Sequence, residues 1–178
     1  MPSPTMTLIA SSTVGSGGAS TITFSSIPAT YTDLVVKLSG RNSGTGGTYN
    51  SVFLSINGTP SGTLHSFKTI YTIGTTVGSN GASGTSSIVV GVTPLSDSTT
   101  NTFSNTEIYF PNYTTSNNKS LSSDSVMENN TSTNGAIFNN LTAGLWASSS
   151  VISSLVLTSD SSSFLQFSTA YLYGIKNS

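Results

Sequence analysis

The stretch 163–176, SFLQFSTAYLYGIK, constrains the fold more than any other part of the chain. Its larger side chains, Leu165, Phe167, Tyr171 and Ile175 among them, fall on every second position. A period of two places them on one face of an extended strand, whereas a helix has a period of 3.6. Phe, Tyr, Thr and Ile also favour strands over helices. We therefore predict one long inner strand of a large sheet, with this face turned towards the core.

Similar alternation recurs along the chain and predicts an all-β fold. The segments with a strand pattern are 6–11, 20–25, 31–40, 50–56, 63–73, 86–92, 101–110, 119–127, 136–146 and 151–158. Short strands at such spacing are typical of a sandwich or a barrel. We predict a single-domain antiparallel β-sandwich over 1–178, jelly-roll-like, with about nine or ten strands. Residues 1–19 are expected to form an N-terminal arm or an edge strand.

Two connections are predicted from turn chemistry. Asn57 and Gly58 form a pair that tolerates positive φ and typically closes a hairpin, so 63–73 is predicted as the return strand of 50–56. The stretch 74–84 is rich in glycine, serine and threonine and is predicted as a loop. The hairpin prediction makes the strands at 50–56 and 63–73 neighbours in one sheet, and the loop prediction leaves 74–84 without a strand partner.

Composition excludes several functional classes. Charged residues make up only 6% of the chain and the net charge is -1, while Ser and Thr supply roughly a third of the residues. No basic cluster is present that could follow a phosphate backbone, so we expect no nucleic-acid partner. No apolar run reaches the length of a membrane span, and the first residues lack a signal-peptide pattern. With no cysteine, synthesis in a reducing host cytoplasm is expected.

The sequence predicts no enzymatic activity. His65 is the single histidine, and no acidic residue or second histidine lies near it in sequence. A catalytic base needs such partners, and no G-x-S-x-G motif marks a nucleophile. A Ser-His-Asp triad stays formally open because serines are so numerous. We favour a hydrogen-bonded or surface histidine and predict no catalytic residue and no cofactor.

The carboxylates and aromatic residues leave two binding alternatives. Asp124 and Glu128, next to an Asn-rich loop, could supply oxygen ligands to calcium, although we favour solvated loop residues and predict no metal site. Aromatic residues such as Tyr113 and Trp146 could form a platform for a sugar ring, with the Asn-rich loop near Asn129 beside it. For Trp146 we favour a place in the core or in an interface.

Five phrases carry a resemblance to a known family. They are SSIPATYTDLVVKLSGR at 25–41, NTFSNTEIYFPNY at 101–113, KSLSSDS at 119–125, LTAGLW at 141–146 and AYLYGIK at 170–176. In this order they resemble virion structural proteins of tailed, cyanophage-like bacteriophages. The resemblance implies a jelly-roll β-sandwich and transfers no catalytic residue.

The resemblance implies either a capsid cement, or decoration, protein on the outer surface of the phage head or a part of a tail fibre, and a compact chain without a fibrous shaft or repeats favours the cement. Such a protein bridges and stabilises subunits of the major capsid protein, and we expect it to be a homotrimer. The three-fold symmetry comes from the resemblance and from capsid geometry. The low net charge favours assembly in general, because it leaves little repulsion between subunits. The alternative is a tail-fibre or tail-associated β-sandwich module that binds host-surface glycans.

Overall fold

The computed structural model describes residues 5–58, 63–129 and 137–176, and every regular element in these ranges is a β-strand. The strands are β1 (Met6–Thr13), β2 (Thr21–Phe24), β3 (Asp33–Gly40), β4 (Asn50–Ile56), β5 (His65–Ile73), β6 (Thr76–Thr85), β7 (Ile88–Thr93), β8 (Ser104–Phe110), β9 (Lys119–Met127), β10 (Phe138–Trp146), β11 (Leu155–Ser159) and β12 (Thr169–Ile175). All pairings among them are antiparallel, so the predicted all-β fold is confirmed. The strand number in the described residues is twelve, above the nine or ten expected.

Eight of the strands form a jelly roll. β1 pairs with β12 and β3 pairs with β8 in the larger sheet, whereas β2 pairs with β11 and β4 pairs with β7 in the smaller sheet. The nested pairs thus alternate between the two sheets as the chain rolls up, which is the arrangement of two Greek keys in a jelly roll. We call β1, β2, β3, β4, β7, β8, β11 and β12 the jelly-roll core.

Two hairpins extend the larger sheet beyond the core. β9 and β10 are inserted between β8 and β11, and β5 and β6 are inserted between β4 and β7. The larger sheet therefore has the order β1-β12-β3-β8-β9-β10-β5-β6, against β2-β11-β4-β7 in the smaller sheet. We call β9, β10, β5 and β6 the wing. Because the smaller sheet has only four strands, the wing is covered on its inner face mainly by the edge strand β7.

The hydrophobic core lies between the two sheets of the jelly roll. Its fully buried side chains alternate along the strands and include Leu34, Val36, Leu38, Val52, Leu54, Ile108, Phe110, Leu155 and Leu157. Burying one such side chain stabilises the fold by about 1.5–3 kcal/mol. The period-two pattern of β3, β4 and β11 therefore predicts correctly which face of each strand points into the core.

A polar seam joins β7 to the start of the wing. Val90 is the extra residue of a β-bulge in β7, and its carbonyl oxygen accepts a hydrogen bond from the Ser123 hydroxyl of β9. The Val92 amide donates to the Ser125 hydroxyl at 3.2 Å. Gly91 lies between them, and a Cβ there would stand 2.9 Å from the Ser125 oxygen. Small side chains and a glycine thus let the edge of one sheet bond directly to the face of the other.

The final strand is shorter than predicted and faces the other way. β12 begins at Thr169, because Phe167 has a left-handed φ of 72° and ends any continuous strand from 163 onwards. Its buried residues are the smaller ones, with Ala170 and Leu172 fully covered. These smaller residues of β12 face inward, where the Tyr31 ring packs on the backbone of the strand. A Cβ at Gly174 would lie 2.3 Å from that ring. The prediction of an inner strand is confirmed, since β12 lies between β1 and β3.

Both connection predictions were wrong. Asn57 and Gly58 do adopt positive φ, 55° and 91°, but β4 and β5 belong to different sheets. The Asn57 side-chain oxygen instead accepts from the amides of Ser153 and Ser154, which holds this turn against the segment before β11. The glycine-rich stretch after β5 is strand β6, paired with β5 over its whole length. Its pairing with a neighbour overrides the low strand propensity of its residues.

Candidate functional site

His65 lies on the inner face of the wing and is 3% exposed. Its ring nitrogens make no hydrogen bond of good geometry within the described part of the chain, and the alternative of a surface histidine is wrong. Burial lowers the pKa of His65, and the backbone of Thr85 opposes this only in part. Its cross-strand neighbour is Trp146, which is itself paired with Lys119. No carboxylate takes part in this row, which therefore lacks the partners of a catalytic base.

The predicted aromatic platform is part of the core. Tyr113 is fully buried, and its hydroxyl donates to the Pro28 carbonyl oxygen. Trp146 is 4% exposed, as expected for a core residue, and Asn129 is 6% exposed. A sugar ring cannot stack on a side chain that has no accessible face, so the glycan platform predicted at Tyr113 and Asn129 is wrong.

The predicted carboxylate pair is not brought together into a metal site. Asp124 lies in β9, on an exposed position directly opposite Glu107 of β8 and Leu141 of β10. Glu128 follows the end of that strand and is exposed. The Asn-rich loop at 130–136 lies outside the described residues. Within the described ranges, no cluster of three or more His, Cys, Asp or Glu side chains could hold a metal ion.

Two of the five basic residues are buried and serve the fold. Arg41, at the end of β3, donates to the carbonyl oxygens of Ser96, Ser98, Thr99 and Thr102 and to the Thr102 hydroxyl, at 2.8–3.0 Å. Lys119, which is 1% exposed, donates to the carbonyl oxygens of Thr115 and Asn117. Each cation holds one loop by its backbone. Neither is therefore available to bind an anionic partner.

One face of the wing is uncovered. Cross-strand neighbours Ile70 and Leu141 are 62% and 61% exposed. Val77, Val126 and Leu145 expose further apolar area on the same face. We call these five residues the outer wing face. Exposed apolar groups gathered on one sheet face are characteristic of a contact surface.

A cavity of about 100 Å³ lies on the opposite, inner face of the wing, at the corner where β7 meets β10, β5 and β6. Three aromatic rings form a cluster along it. The Phe138 ring centroid is 4.3 Å from that of Tyr49 and 5.6 Å from that of Tyr71. Asn140 lines the same cavity. Sequence analysis missed these residues, because Tyr49 lies outside every predicted strand and no local pattern links it to β10.

Comparisons of the chain with protein-family models, with curated proteins and with solved structures found no significant match. The fold therefore defines the class of protein: an antiparallel jelly-roll β-sandwich with a two-hairpin wing. Among the described residues, no helix has the length and apolar character needed to cross a membrane.

Proposed function

We propose that the chain is a non-enzymatic structural protein of a tailed-phage virion, a cement on the outer head surface that bridges subunits of the major capsid protein. The outer wing face carries this proposal. It presents Ile70 and Leu141 side by side as a large exposed apolar pair, which suits contact with another protein more than contact with water. Asp124 lies opposite Leu141 on the same face and supplies a polar margin. The five phrases that resemble phage virion proteins support the assignment to a particle.

The charge distribution supports a role in assembly. With charged residues at only 6% of the chain and a net charge of -1, there is little charge that would repel another subunit. The outer edge strand β6 also contains no charged residue and no proline, the usual groups that prevent edge-to-edge pairing. We propose a homotrimer, with the three-fold symmetry taken from the resemblance. Binding to the assembled shell would add its free energy to the stability of the shell.

Particles lacking the protein provide the test. Purified protein is added back, and the temperature at which the particles release their DNA is measured. Wild-type protein is expected to raise that temperature, and Leu141→Asp is expected to bind weakly and raise it less. Leu8→Asp is the matched control, because Leu8 is 51% exposed on the opposite edge strand β1. Equal protection by both variants, or particles equally stable without the protein, would refute the proposal.

A tail-fibre or tail-associated module that binds glycans is the second candidate, supported by the resemblance to phage virion proteins. The sugar platform that the sequence analysis considered for this candidate includes Tyr113, which is buried, so any sugar contact must involve other residues. Cryo-electron microscopy of labelled particles separates the two candidates, because density on the head favours the cement and density on the tail favours the glycan module. Light scattering that shows a monomer at micromolar concentration would remove the trimer from either account.

A further inference from the structure

Within the described part of the chain, β6 is the sheet edge that is least protected against pairing with another strand. The larger sheet ends at β1 and β6, and the smaller sheet ends at β2 and β7. β7 is joined to the wing by the polar seam, β2 has only four residues, and β1 has a register shift between Leu8 and Ala10. β6 has ten residues without a charge or a proline, and its register with β5 is regular from Thr76 to Ser83. Such an edge offers free backbone groups to an incoming strand.

The free side of β6 presents backbone amides at alternate residues. The Gly81 amide donates to the side-chain oxygen of Asn80 at 2.7 Å, a local contact within the same strand. Amides two residues apart point to the same side of a strand, so those of Ser79 and Ser83 share the direction of the Gly81 amide. Both serines are exposed. An incoming strand can therefore supply carbonyl oxygens to a row of three amides, and it displaces only the Asn80 side chain.

Lys68 carries a positive charge to this edge. Gly81 is its cross-strand partner, and a Cβ at Gly81 would stand 2.4 Å from the Lys68 Cδ and 3.0 Å from its Nζ. The lysine stem thus runs from β5 across the glycine, towards the free side of β6. Lys68 is exposed, and the part of the chain that the structure describes contains no carboxylate in ion-pair contact with it. Its ammonium group is accessible to a carboxylate on an added strand, at the position opposite Gly81.

Two open grooves lie on either side of Lys68 on the outer side of the wing. The larger, of about 500 Å³, is lined by Ile70 and Leu141, and the smaller, of about 300 Å³, is lined by Ala143 and Leu145. Both grooves reach β6, whose outward residues there are serines and a glycine. Alternate residues of a strand share a face, so the side chains two positions before and after the residue opposite Gly81 would enter these grooves. The exposed leucines and isoleucine favour apolar side chains there.

We propose that β6 docks an extended segment of another polypeptide, which adds a ninth strand to the eight-stranded sheet. The segment carries an acidic residue that pairs with Lys68 and an apolar residue two positions away on each side. The inference rests on the contact role proposed for the outer wing face and specifies the chemistry of the partner segment. Under that role the segment belongs to the major capsid protein.

This chain does not supply such a segment to a second copy of itself. Of its six acidic residues, only Asp33 has an apolar or aromatic residue two positions away on both sides, at Tyr31 and Val35. Asp33 is 3% exposed and lies in β3, which is paired on both sides. Pairing of β6 with its own copy would bring no carboxylate to Lys68, because β6 has no acidic residue. The edge is therefore assigned to a different protein, and the contacts of the proposed homotrimer use other surfaces.

The test uses a capped, fluorescently labelled peptide of threonine and valine with one central glutamate and a valine two positions from it on each side. Fluorescence anisotropy is expected to show saturable binding, and the amides of Ser79 and Gly81 are expected to shift in ¹⁵N NMR spectra. A matched peptide with glutamine in place of glutamate should bind about fivefold more weakly, and the difference should shrink at high salt. A peptide N-methylated on the amides that face β6 should bind at least about tenfold more weakly, because backbone hydrogen bonds are lost.

Protein variants complete the test. Lys68→Met is expected to bind the glutamate and glutamine peptides equally, and Ser79→Pro, which removes one outward amide, is expected to bind neither. Lys37→Met is the matched control, because Lys37 is an exposed lysine of β3 that is paired with Glu107. It should bind like wild type. The proposal is overturned by the absence of saturable binding, or by binding that neither N-methylation nor Lys68→Met weakens. Self-association of the protein that Ser79→Pro abolishes would also overturn it, since the edge would then join two copies.

The capsid assay separates this inference from the proposed function. If no peptide binds but Leu141→Asp still fails to protect particles, the cement role stands and the added strand is wrong. If the peptide binds but particles are equally stable without the protein, the cement role is wrong and the docking edge stands.

Discussion

The jelly-roll core and the wing bury their inner faces by different means. In the core, Leu54 and Leu157 are fully buried among other aliphatic side chains. In the wing, the buried positions of β9 and β10 are often polar, as at Ser123, Ser125 and Thr142. The wing is thus attached both by the hydrogen bonds of the polar seam and by apolar side chains that join the main hydrophobic cluster, whereas the core is held mainly by apolar burial.

The difference shows how a jelly roll can carry an extension that has only a small hydrophobic cluster of its own. The bulge at Val90 and the small residue Gly91 bring β7 close to β9, and hydroxyl groups complete the backbone bonds of an edge strand. The other face of the wing is left free for a partner. We expect the core to determine whether the chain folds and the wing to determine what it contacts.

The largest effect is expected from truncating one leucine in each region. Leu54→Ala removes a fully buried side chain and leaves a cavity, which should lower the free energy of unfolding by about 2–5 kcal/mol. Leu141→Ala removes a side chain that is 61% exposed and should change it by less than about 0.5 kcal/mol. Urea denaturation measures both. Similar losses of unfolding free energy in the two variants would contradict the proposed division between the core and the wing.

The seam is tested by Gly91→Ala. The added methyl group would approach the Thr106 and Ser125 hydroxyl oxygens to 2.7 and 2.9 Å, so the strands must move apart at a cost of about 1–3 kcal/mol. Hydrogen exchange should then accelerate in β9 and β10 more than in β3 and β4. Gly15→Ala is the control, because nothing lies within 4 Å of the position of its Cβ. Uniform acceleration of hydrogen exchange in all four strands would mean that the polar seam does not separate the wing from the core.

A smaller, pH-dependent effect is expected in the wing. The folded state lowers the pKa of His65 below the unfolded value of about 6.5, because burial disfavours the imidazolium. The unfolded chain therefore binds the proton first, and the stabilisation is complete above about pH 6.5 and is lost as the pH falls towards the folded pKa. The urea midpoint should fall from pH 7.5 to pH 5 by more in wild type than in His65→Gln. Equal falls of the urea midpoint in the two proteins would show that a group other than His65 titrates.

The smallest effect is expected on the outer face of the core. Lys37 and Glu107 form an ion pair at 2.5 Å there, with side chains that are 49% and 42% exposed, and Glu107 raises the pKa of Lys37 through a hydrogen bond. Lys37→Met should lower stability by at most about 1 kcal/mol, and less at high salt. Lys68→Met, a substitution of the same kind on the wing, is the variant with which Lys37→Met is compared. A salt-independent loss in Lys37→Met would indicate packing by the lysine stem.

The sequence predicted individual strands better than their neighbours in space, for a physical reason. In β4 of the core and β9 of the wing, alternation is strong because one face meets another layer, and this signal is local. The seam depends on which strands of the two sheets become neighbours, and neither Gly91 nor Ser123 signals that alone. Strand β6 was predicted as a loop because its glycines are poor strand formers, although Gly78 is where the Tyr71 ring rests.

The candidate sites show the same limit. His65 was correctly placed on a strand, but its burial without partners results from the fold around it. Tyr113 was considered as part of a possible sugar platform, yet its hydroxyl donates to the Pro28 carbonyl oxygen far away in sequence. The aromatic cavity combines residues from β5, β10 and the segment before β4, so no spacing in the sequence could predict it.

The nested pairing of the jelly roll has a consequence for biosynthesis. β1 leaves the ribosome before the other eleven described strands, but among them its neighbour in the sheet is β12, which also lies next to β3. Until Thr169–Ile175 has been translated, β1 and β3 both present unpaired edges. Long-range pairing of this kind folds slowly and exposes edges to other nascent chains. We expect ribosome-bound chains that stop before Thr169 to remain protease-sensitive, and crowded expression to favour aggregation through β1 before the sheet closes.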